Sequence, residues 1–380
     1  MAGGDGLARF EGVPVFVPRT APGDRVRVRL TERRPDYGRG EVVEVLAPGP
    51  GRREPPCPHF AECGGCDLQH LDERTQLEWK SRATLETLAK LSKQLLPPPS
   101  EIVAGAAWGY RLRTSVHVDE GPDGAARVGY HARGSHHLVV VERCPILVPD
   151  LERAVTTLGE RLASPLPPRV DLAVGDGGEI AAAPAVGGYL GAELVRRVAG
   201  HELHFDARGF FQGHAGLLDE LVDRVVGPWQ GESAFDLYAG VGLFALPLAG
   251  RYGRVTAVEG DRIAARLARK NARVARLESI EVVAQAVDTW IVEGLPAGVD
   301  RVVVDPPRSG LGRAVRAALV ARRPARLTYV SCHPAALARD LAELAYAFEV
   351  ESLILVDLFP QTGQMEVVVQ LVAKPRDAEV

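Results

Sequence analysis

The sequence predicts an α/β protein in which a doubly wound, mostly parallel sheet follows a small β unit and a mixed, mainly β middle region. Three observations predict it. From about Phe210 onward, short apolar segments alternate with helical ones, the pattern of parallel strands joined by crossover helices. Between 101 and about 205 the chain is rich in glycine, valine and short alternating runs such as 137–141. Near the start, residues 24–30 alternate strictly, so that Arg25, Arg27 and Arg29 fall on one strand face and Val26, Val28 and Leu30 on the other.

A chain of 380 residues with 46% hydrophobic content can bury two or three cores. The expected units are 1–47, 48–205 and 206–380. In the first, strands are expected at 13–17, 24–30 and 41–46. Arg19 to Arg39 contains seven arginines against Asp24, Glu32 and Asp36, a local excess of four positive charges in a chain whose net charge is -4. Local excess, not net charge, is what binds phosphates. Only Lys80, Lys90, Lys93, Lys270 and Lys374 among the 45 basic residues are lysine. Arginine suits bidentate recognition of phosphates and bases, and GC-rich codon usage gives the same bias.

The Ala47-Pro48-Gly49-Pro50-Gly51 stretch reads as a linker, followed by a cysteine-rich segment at 57–66 and a helix over about 72–94 that ends before Pro97-Pro98-Pro99. Strands of the C-terminal sheet are expected at 233–238, 254–259, 280–284, 301–305, 327–331, 353–358 and 365–372. Helical segments separate the first five, which makes them parallel; only a short turn joins the last two, which makes that pair antiparallel. No window approaches the ~20 apolar residues of a membrane span, and the opening MAGGDGLARF lacks a signal-peptide profile, so a cytoplasmic protein is expected. Five cysteines in such a chain are expected to be ligands or nucleophiles, not disulfides.

The loop after the first sheet strand, Asp236-Leu237-Tyr238-Ala239-Gly240-Val241-Gly242, has glycines where backbone must turn tightly beside a ligand. Glu259 ends the second strand 23 residues beyond Asp236, where a carboxylate reaches ribose hydroxyls, and Asp288 after the third could reach an adenine edge. Gly240-x-Gly242-x-x-Ala245 also fits a nicotinamide enzyme. The next two strand ends decide against that reading. They carry Asp305-Pro306-Pro307-Arg308 and Ser331-Cys332-His333-Pro334, and ligands of open α/β sheets bind beyond such ends. A cysteine placed there is a better candidate nucleophile than core residue. Cys57, Cys63 and Cys66 follow a C-x5-C-x2-C spacing, and Cys144 is the one cysteine left to complete four thiolates. Spacing alone leaves structural zinc and a 4Fe-4S cluster both open.

Taken in order, these segments resemble the RNA 5-methyluridine methyltransferases nearly end to end, in particular the ribosomal RNA uracil-5 branch. The resemblance is carried by the basic N-terminal unit, which is similar to a TRAM domain, and by Cys57-Pro58-His59-Phe60 with Cys63-Gly64-Gly65-Cys66 and Gln69-His70-Leu71. It continues through Cys144-Pro145-Ile146-Leu147, Phe210-Phe211-Gln212, the glycine loop, Asp-Pro-Pro-Arg, Ser-Cys-x-Pro, and Phe359-Pro360-x-Thr362-Gly363-x-x-Glu366. It implies a Rossmann-like class I methyltransferase domain with an antiparallel last strand, an OB-like N-terminal barrel, and a central domain holding a 4Fe-4S cluster on Cys57, Cys63, Cys66 and Cys144. It further implies S-adenosylmethionine contacts from Gln212, Tyr238, Gly240, Gly242, Glu259, Asp288 and Asp305, Cys332 as nucleophile and Glu366 as the base.

The implied chemistry is self-consistent. Carbon 5 of uracil is a poor nucleophile, and thiolate addition at carbon 6 turns it into an enolate that can take a sulfonium methyl. The uridine must be flipped out or single-stranded. RNA cytosine-5 methyltransferases carry a further cysteine where this chain has Asp-Pro-Pro-Arg, which favours uracil. Ribosomal RNA is the expected partner, with transfer RNA next; a redox-responsive RNA-binding protein without catalysis is the alternative from another class. Gln364 and His333 depart from the family's usual histidine and asparagine, and both positions are candidates for RNA contact.

Overall fold

The computed structural model describes residues 4–189, 191 and 193–375. The first unit is one sheet of β1 (Gly6–Phe10), β2 (Val13–Val17), β3 (Arg25–Arg33) and β4 (Gly38–Ala47) in the order β1-β2-β4-β3. Glu11 and Gly12, both at positive φ (50° and 84°), make the two-residue turn that joins β1 to β2. No ladder joins β1 to β3 among the described residues, so the expected barrel takes the form of a four-stranded sheet. Arg25, Arg27 and Arg29 are exposed and Val26 and Val28 half-buried, as alternation requires. Leu30 departs from the pattern at 44% exposure, because register shifts interrupt the β3–β4 ladder there. The same ladder sets Arg27 against Glu44 and Arg29 against Glu41, and both pairs are ion-paired. The arginine face is therefore largely offset by its partner strand, which the count over 19–39 could not reveal.

Helix α1 (Glu73–Ser92) starts where the Asp72 carboxylate accepts the Thr75 amide at 2.7 Å and stops at Lys93, which adopts a left-handed conformation. Strand β5 (Glu101–Ala104) follows. The middle of the chain builds β6 (Arg113–Glu120), β7 (Ala126–His131), β8 (Leu138–Val140), helices α2 (Pro149–Thr156) and α3 (Leu158–Arg161), then β9 (Arg169–Val174) and β10 (Ile180–Ala183). These five strands form one sheet, β10-β9-β6-β7-β8, and β11 (Glu193–Val198) with β12 (His201–Asp206) forms a separate hairpin.

From α4 (Leu218–Val226) the chain alternates: β13 (Gly231–Leu237), α5 (Ala245–Ala249), β14 (Tyr252–Glu259), α6 (Arg262–Val274), β15 (Ile280–Ala284), α7 (Val287–Gly294), β16 (Arg301–Val304), α8 (Arg313–Arg322), β17 (Arg326–Ser331), α9 (Pro334–Leu344), β18 (Phe348–Asp357) and β19 (Glu366–Ala373). The eight-stranded sheet runs β15-β14-β13-β16-β17-β19-β18-β5, and β19 alone is antiparallel to both neighbours. Both faces are covered, which is why β16 reads as the continuous run Val302-Val303-Val304. Val303, Val330 and Val368 enter the core on one face; Val302, Val304, Tyr329, Val367 and Val369 enter the core on the other. Two elements from the 48–205 stretch lie with this sheet: β5 pairs with β18, and α1 lays Leu88 into the second core. No helix among the described residues is long and apolar enough to cross a membrane.

Candidate active site

Strand register brings the chemistry-bearing residues together. Leu237 pairs with Val258 on one side and Val304 on the other, so Tyr238, Glu259 and Asp305 leave the sheet side by side. The chain order reverses across β13, which makes this the switch point where open sheets bind ligands. One strand pair further on, Ser331, the last residue of β17, pairs with Val367, so Cys332, the residue just past that strand, comes close to Glu366, the first residue of β19, whose charge acts on its thiol. Only an antiparallel last strand can start at the edge where its parallel neighbours end.

The glycine loop is built for close approach. Tyr238, Gly240 and Gly242 have φ of 64°, 55° and 94°, and a side chain at Gly240 would point into open space. Glu259 fastens the loop by accepting the Gly240 amide at 2.7 Å with one oxygen and the Asp261 amide at 2.6 Å with the other. From behind, the buried Asn271 amide donates to the Val241 carbonyl at 2.9 Å. Asp288, exposed at the start of α7, stands near enough to Tyr238 to help burial hold that phenol above its ordinary range. Gln212 is buried, its side chain acts to lower the Asp305 carboxyl against the effect of burial, and its own carbonyl oxygen has no partner. Tyr238, Gly240, Glu259 and Asp305 thus gather at the carboxyl ends of β13, β14 and β16, with Asp288 acting on Tyr238 and Gln212 on Asp305.

Its electrostatics are acidic. Asp236 is fully buried, and burial, Asp305 and Glu259 together hold its carboxyl well above the usual range. Burial, then the Asp305 charge, does the same to Glu366, against which Arg308 pulls; burial raises Asp305 in turn. Asp305 and Glu366 titrate as a pair that resists carrying two charges. Cys332 is pushed up to about 11 by burial, then by Glu366, while the Arg308 guanidinium opposes both. Sequence reasoning passes over Arg308, although Asp-Pro-Pro-Arg carries it; its charge acts on both Cys332 and Glu366. The loop after Arg308 is pinned by the Leu311 amide donating to Asp340, which also takes the Tyr329 hydroxyl at 2.6 Å. His333 serves the fold, since its ring nitrogen accepts the Ala336 amide at 3.2 Å and caps α9.

The other four cysteines lie apart from this crevice and together. Cys57, Cys63, Cys66 and Cys144 line one cavity of about 170 Å³ with Arg111 and Arg143 in its wall. Burial, then the neighbouring thiols, pushes Cys144 up to about 12; burial does the same to Cys66 against a Gln69 hydrogen bond. No three His, Cys, Asp or Glu side chains among the described residues converge closely enough to hold a single metal ion.

A glycine loop at the switch point of an open sheet, with a thiol and a carboxyl one strand pair away, defines an α/β transferase of the class I methyltransferase type. A model of the tRNA (Uracil-5-)-methyltransferase family matches residues 297–374, and a TRAM-domain model matches residues 2–43. Among curated relatives, the 23S rRNA (uracil(1939)-C(5))-methyltransferase RlmD of Salmonella typhi is 32% identical over 96% of this chain and 92% of its own length. The protein of that name from Chromohalobacter salexigens is 34% identical, covering 96% of this chain and 86% of the relative. A solved structure, Pyrococcus abyssi tRNA (uracil-54, C5)-methyltransferase in complex with S-adenosyl-L-homocysteine, superimposes with a TM-score of 0.74 at 23% identity, covering 97% of this chain and 100% of that one; this likeness shows a shared fold. The chain belongs to the RNA 5-methyluridine methyltransferase family.

Proposed function

We propose that this protein transfers a methyl group from S-adenosylmethionine to carbon 5 of a uridine in 23S ribosomal RNA, through a covalent adduct between Cys332 and carbon 6 of the base. The observation that carries this reading is the register that sets Cys332 beside the buried Glu366, one strand pair from the glycine loop. The names of the relatives supply the RNA, and the TRAM-domain match agrees with an RNA substrate. A cytoplasmic location follows from that substrate.

S-adenosylmethionine contributes the methyl group as a cationic sulfonium. Gln212, Tyr238, Gly240, Gly242, Glu259, Asp288 and Asp305 would hold it. The residues present fit, since Asp236, Glu259, Asp305 and Glu366 crowd acidic groups around the crevice and a cationic ligand relieves their repulsion. Cys332, as thiolate, adds to carbon 6 of a flipped uridine, and the electron pair moves to the oxygen on carbon 4. The enolate returns that pair through carbon 5, which takes the methyl as the methyl–sulfur bond breaks and its electron pair stays with the now neutral sulfur. Glu366 then removes the carbon 5 proton, the ring double bond re-forms, and the sulfur leaves as thiolate. Arg308, whose charge favours the thiolate, stabilises that anion at both ends of the sequence.

Cys57, Cys63, Cys66 and Cys144 are assigned to a 4Fe-4S cluster. The residues present fit such a group, since four thiols line a single cavity and Arg111 and Arg143 in its wall match a negatively charged cluster. With four protein ligands such a cluster serves structure, not the methyl transfer.

The test is incubation of the protein with methyl-labelled S-adenosylmethionine and RNA from cells lacking it, followed by nucleoside analysis of each RNA. Label in 5-methyluridine of 23S RNA is expected. Label confined to transfer RNA would correct the substrate, label in 5-methylcytidine would correct the base, and no label would leave a binding protein.

A further inference from the structure

The eight residues between β18 and β19, Leu358 to Met365, end on Glu366 and carry little regular structure of their own, yet they are held from outside at every turn. Lys80 of α1 donates to Asp357 at 2.6 Å and to the Phe359 carbonyl at 3.0 Å, and the Tyr110 hydroxyl donates to the Pro360 carbonyl at 2.9 Å. Gln361 is fully buried at a positive φ of 68°, a conformation that a non-glycine residue holds only when its surroundings impose it. Its amide donates to the Gln76 side-chain oxygen at 3.0 Å, and the Gln76 amide returns a bond to the Gln361 side chain at 2.9 Å.

The remaining bonds come from the cysteine segment. The amides of Asp67 and Leu68 both donate to the Gln361 carbonyl, at 2.8 and 3.0 Å. One Asp67 oxygen accepts the Gly363 amide at 3.0 Å; the other is paired with Arg133 at 2.7 Å, and Arg133 also donates to the Cys66 carbonyl at 2.9 Å. Asp67 is the residue after Cys66, and Gly363 lies three residues before Glu366. A single carboxylate therefore links a cysteine of the cavity to the loop that delivers the carboxyl beside Cys332.

We propose that Asp67, with Gln76 opposite it, is a positioning residue for Glu366, so that the cysteine segment sets the geometry of proton removal. The proposal rests on the reading of Glu366 as the base. It gives the cysteine cavity a mechanical relation to catalysis: the segment anchored there holds the catalytic loop without contacting substrate. Positioning acts on one step. Thiol addition and methyl transfer depend on Cys332 and the glycine loop, which the clamp does not touch, whereas elimination depends on where the Glu366 carboxyl sits.

The test compares Asp67→Ala, Asp67→Asn and Gln76→Ala with wild type and Glu366→Gln, in the full-length protein with 23S RNA transcript and S-adenosylmethionine. Single-turnover methyl transfer and the fraction of RNA held covalently on a denaturing gel are read separately. Asp67→Ala and Gln76→Ala should methylate within about twofold of wild type in the first turnover but release product about ten- to a hundredfold more slowly, with covalent complex accumulating. Asp67→Asn, whose amide oxygen still accepts from Gly363, should recover most of the release rate. Gln76→Ala lies outside the cysteine segment and decides the matter if Asp67→Ala fails to fold. Normal release by both alanine variants overturns the proposal, as does a parallel loss of every step with no trapped complex. Normal release by Glu366→Gln overturns the base assignment itself, and the clamp's purpose with it.

Discussion

Cys332 should be a slow, strongly pH-dependent nucleophile in the free protein. Its thiol is pushed up to about 11 by burial and the Glu366 charge, against the pull of Arg308. Only the thiolate reacts, so at pH 8 about one Cys332 in a thousand is competent, against roughly one in ten for a thiol at the ordinary value of 9.0. A more basic thiolate is also the better nucleophile, which returns about a factor of ten of that hundredfold deficit. Alkylation of the Cys332 peptide by iodoacetamide, followed by mass spectrometry, should therefore be about tenfold slower than for a free thiol at pH 8. Its rate should climb about tenfold per pH unit with no plateau below pH 10. Saturation with S-adenosylmethionine should move the profile to lower pH, because a cation in the acidic crevice offsets the carboxyl charges that oppose the thiolate. S-adenosylhomocysteine, whose sulfur is neutral, should move it less. A plateau near pH 8.5, or identical profiles with both ligands, would refute the electrostatic account.

Three further outcomes are expected. Glu366→Gln keeps the shape of the site but accepts no proton, so methylated RNA should accumulate as a covalent complex with Cys332; normal turnover would assign proton removal to another group. Replacing Cys57, Cys63, Cys66 or Cys144 by serine should abolish the brown colour and iron content of anaerobically prepared protein, whereas a colourless wild type with stoichiometric zinc would contradict the cluster. Arg25→Ala, Arg27→Ala and Arg29→Ala combined should weaken RNA binding and flatten its salt dependence by about one to two in log-log slope, with Glu41→Gln plus Glu44→Gln doing the opposite. Unchanged RNA affinity in both sets would reduce the strand to a solvated face.

Much of this was legible in the sequence where a local pattern decides the structure. The strand expected at 280–284 is found at Ile280–Ala284, and Cys332 stands just past the end of its strand, as expected. The antiparallel last pair followed from the shortness of its connection. What stayed hidden depends on partners distant in the chain. Glu101–Ala104 is too short to announce that it completes the catalytic sheet, since that depends on a strand some 250 residues later. The arginine face at Arg27 and Arg29 looked free because its neutralising glutamates lie on the next strand, in a register broken by bulges. That His333 also caps a helix could not be read locally, because the role is set by the start of α9 at Pro334. Asp67 has no motif of its own; its importance appears only when the loop before Glu366 folds against it.

The most direct test of the central claim uses RNA in which uridine is replaced by 5-fluorouridine. Fluorine cannot leave carbon 5 as a cation, so an enzyme that adds a thiolate at carbon 6 and methylates carbon 5 traps itself before elimination. Wild-type protein incubated with S-adenosylmethionine and such a 23S RNA transcript should form a stable covalent complex. Digestion should then yield one modified peptide, containing Cys332 joined to a nucleotide that carries both fluorine and the new methyl group. A complex through any other residue, or free methylated RNA with no complex at all, would contradict the account.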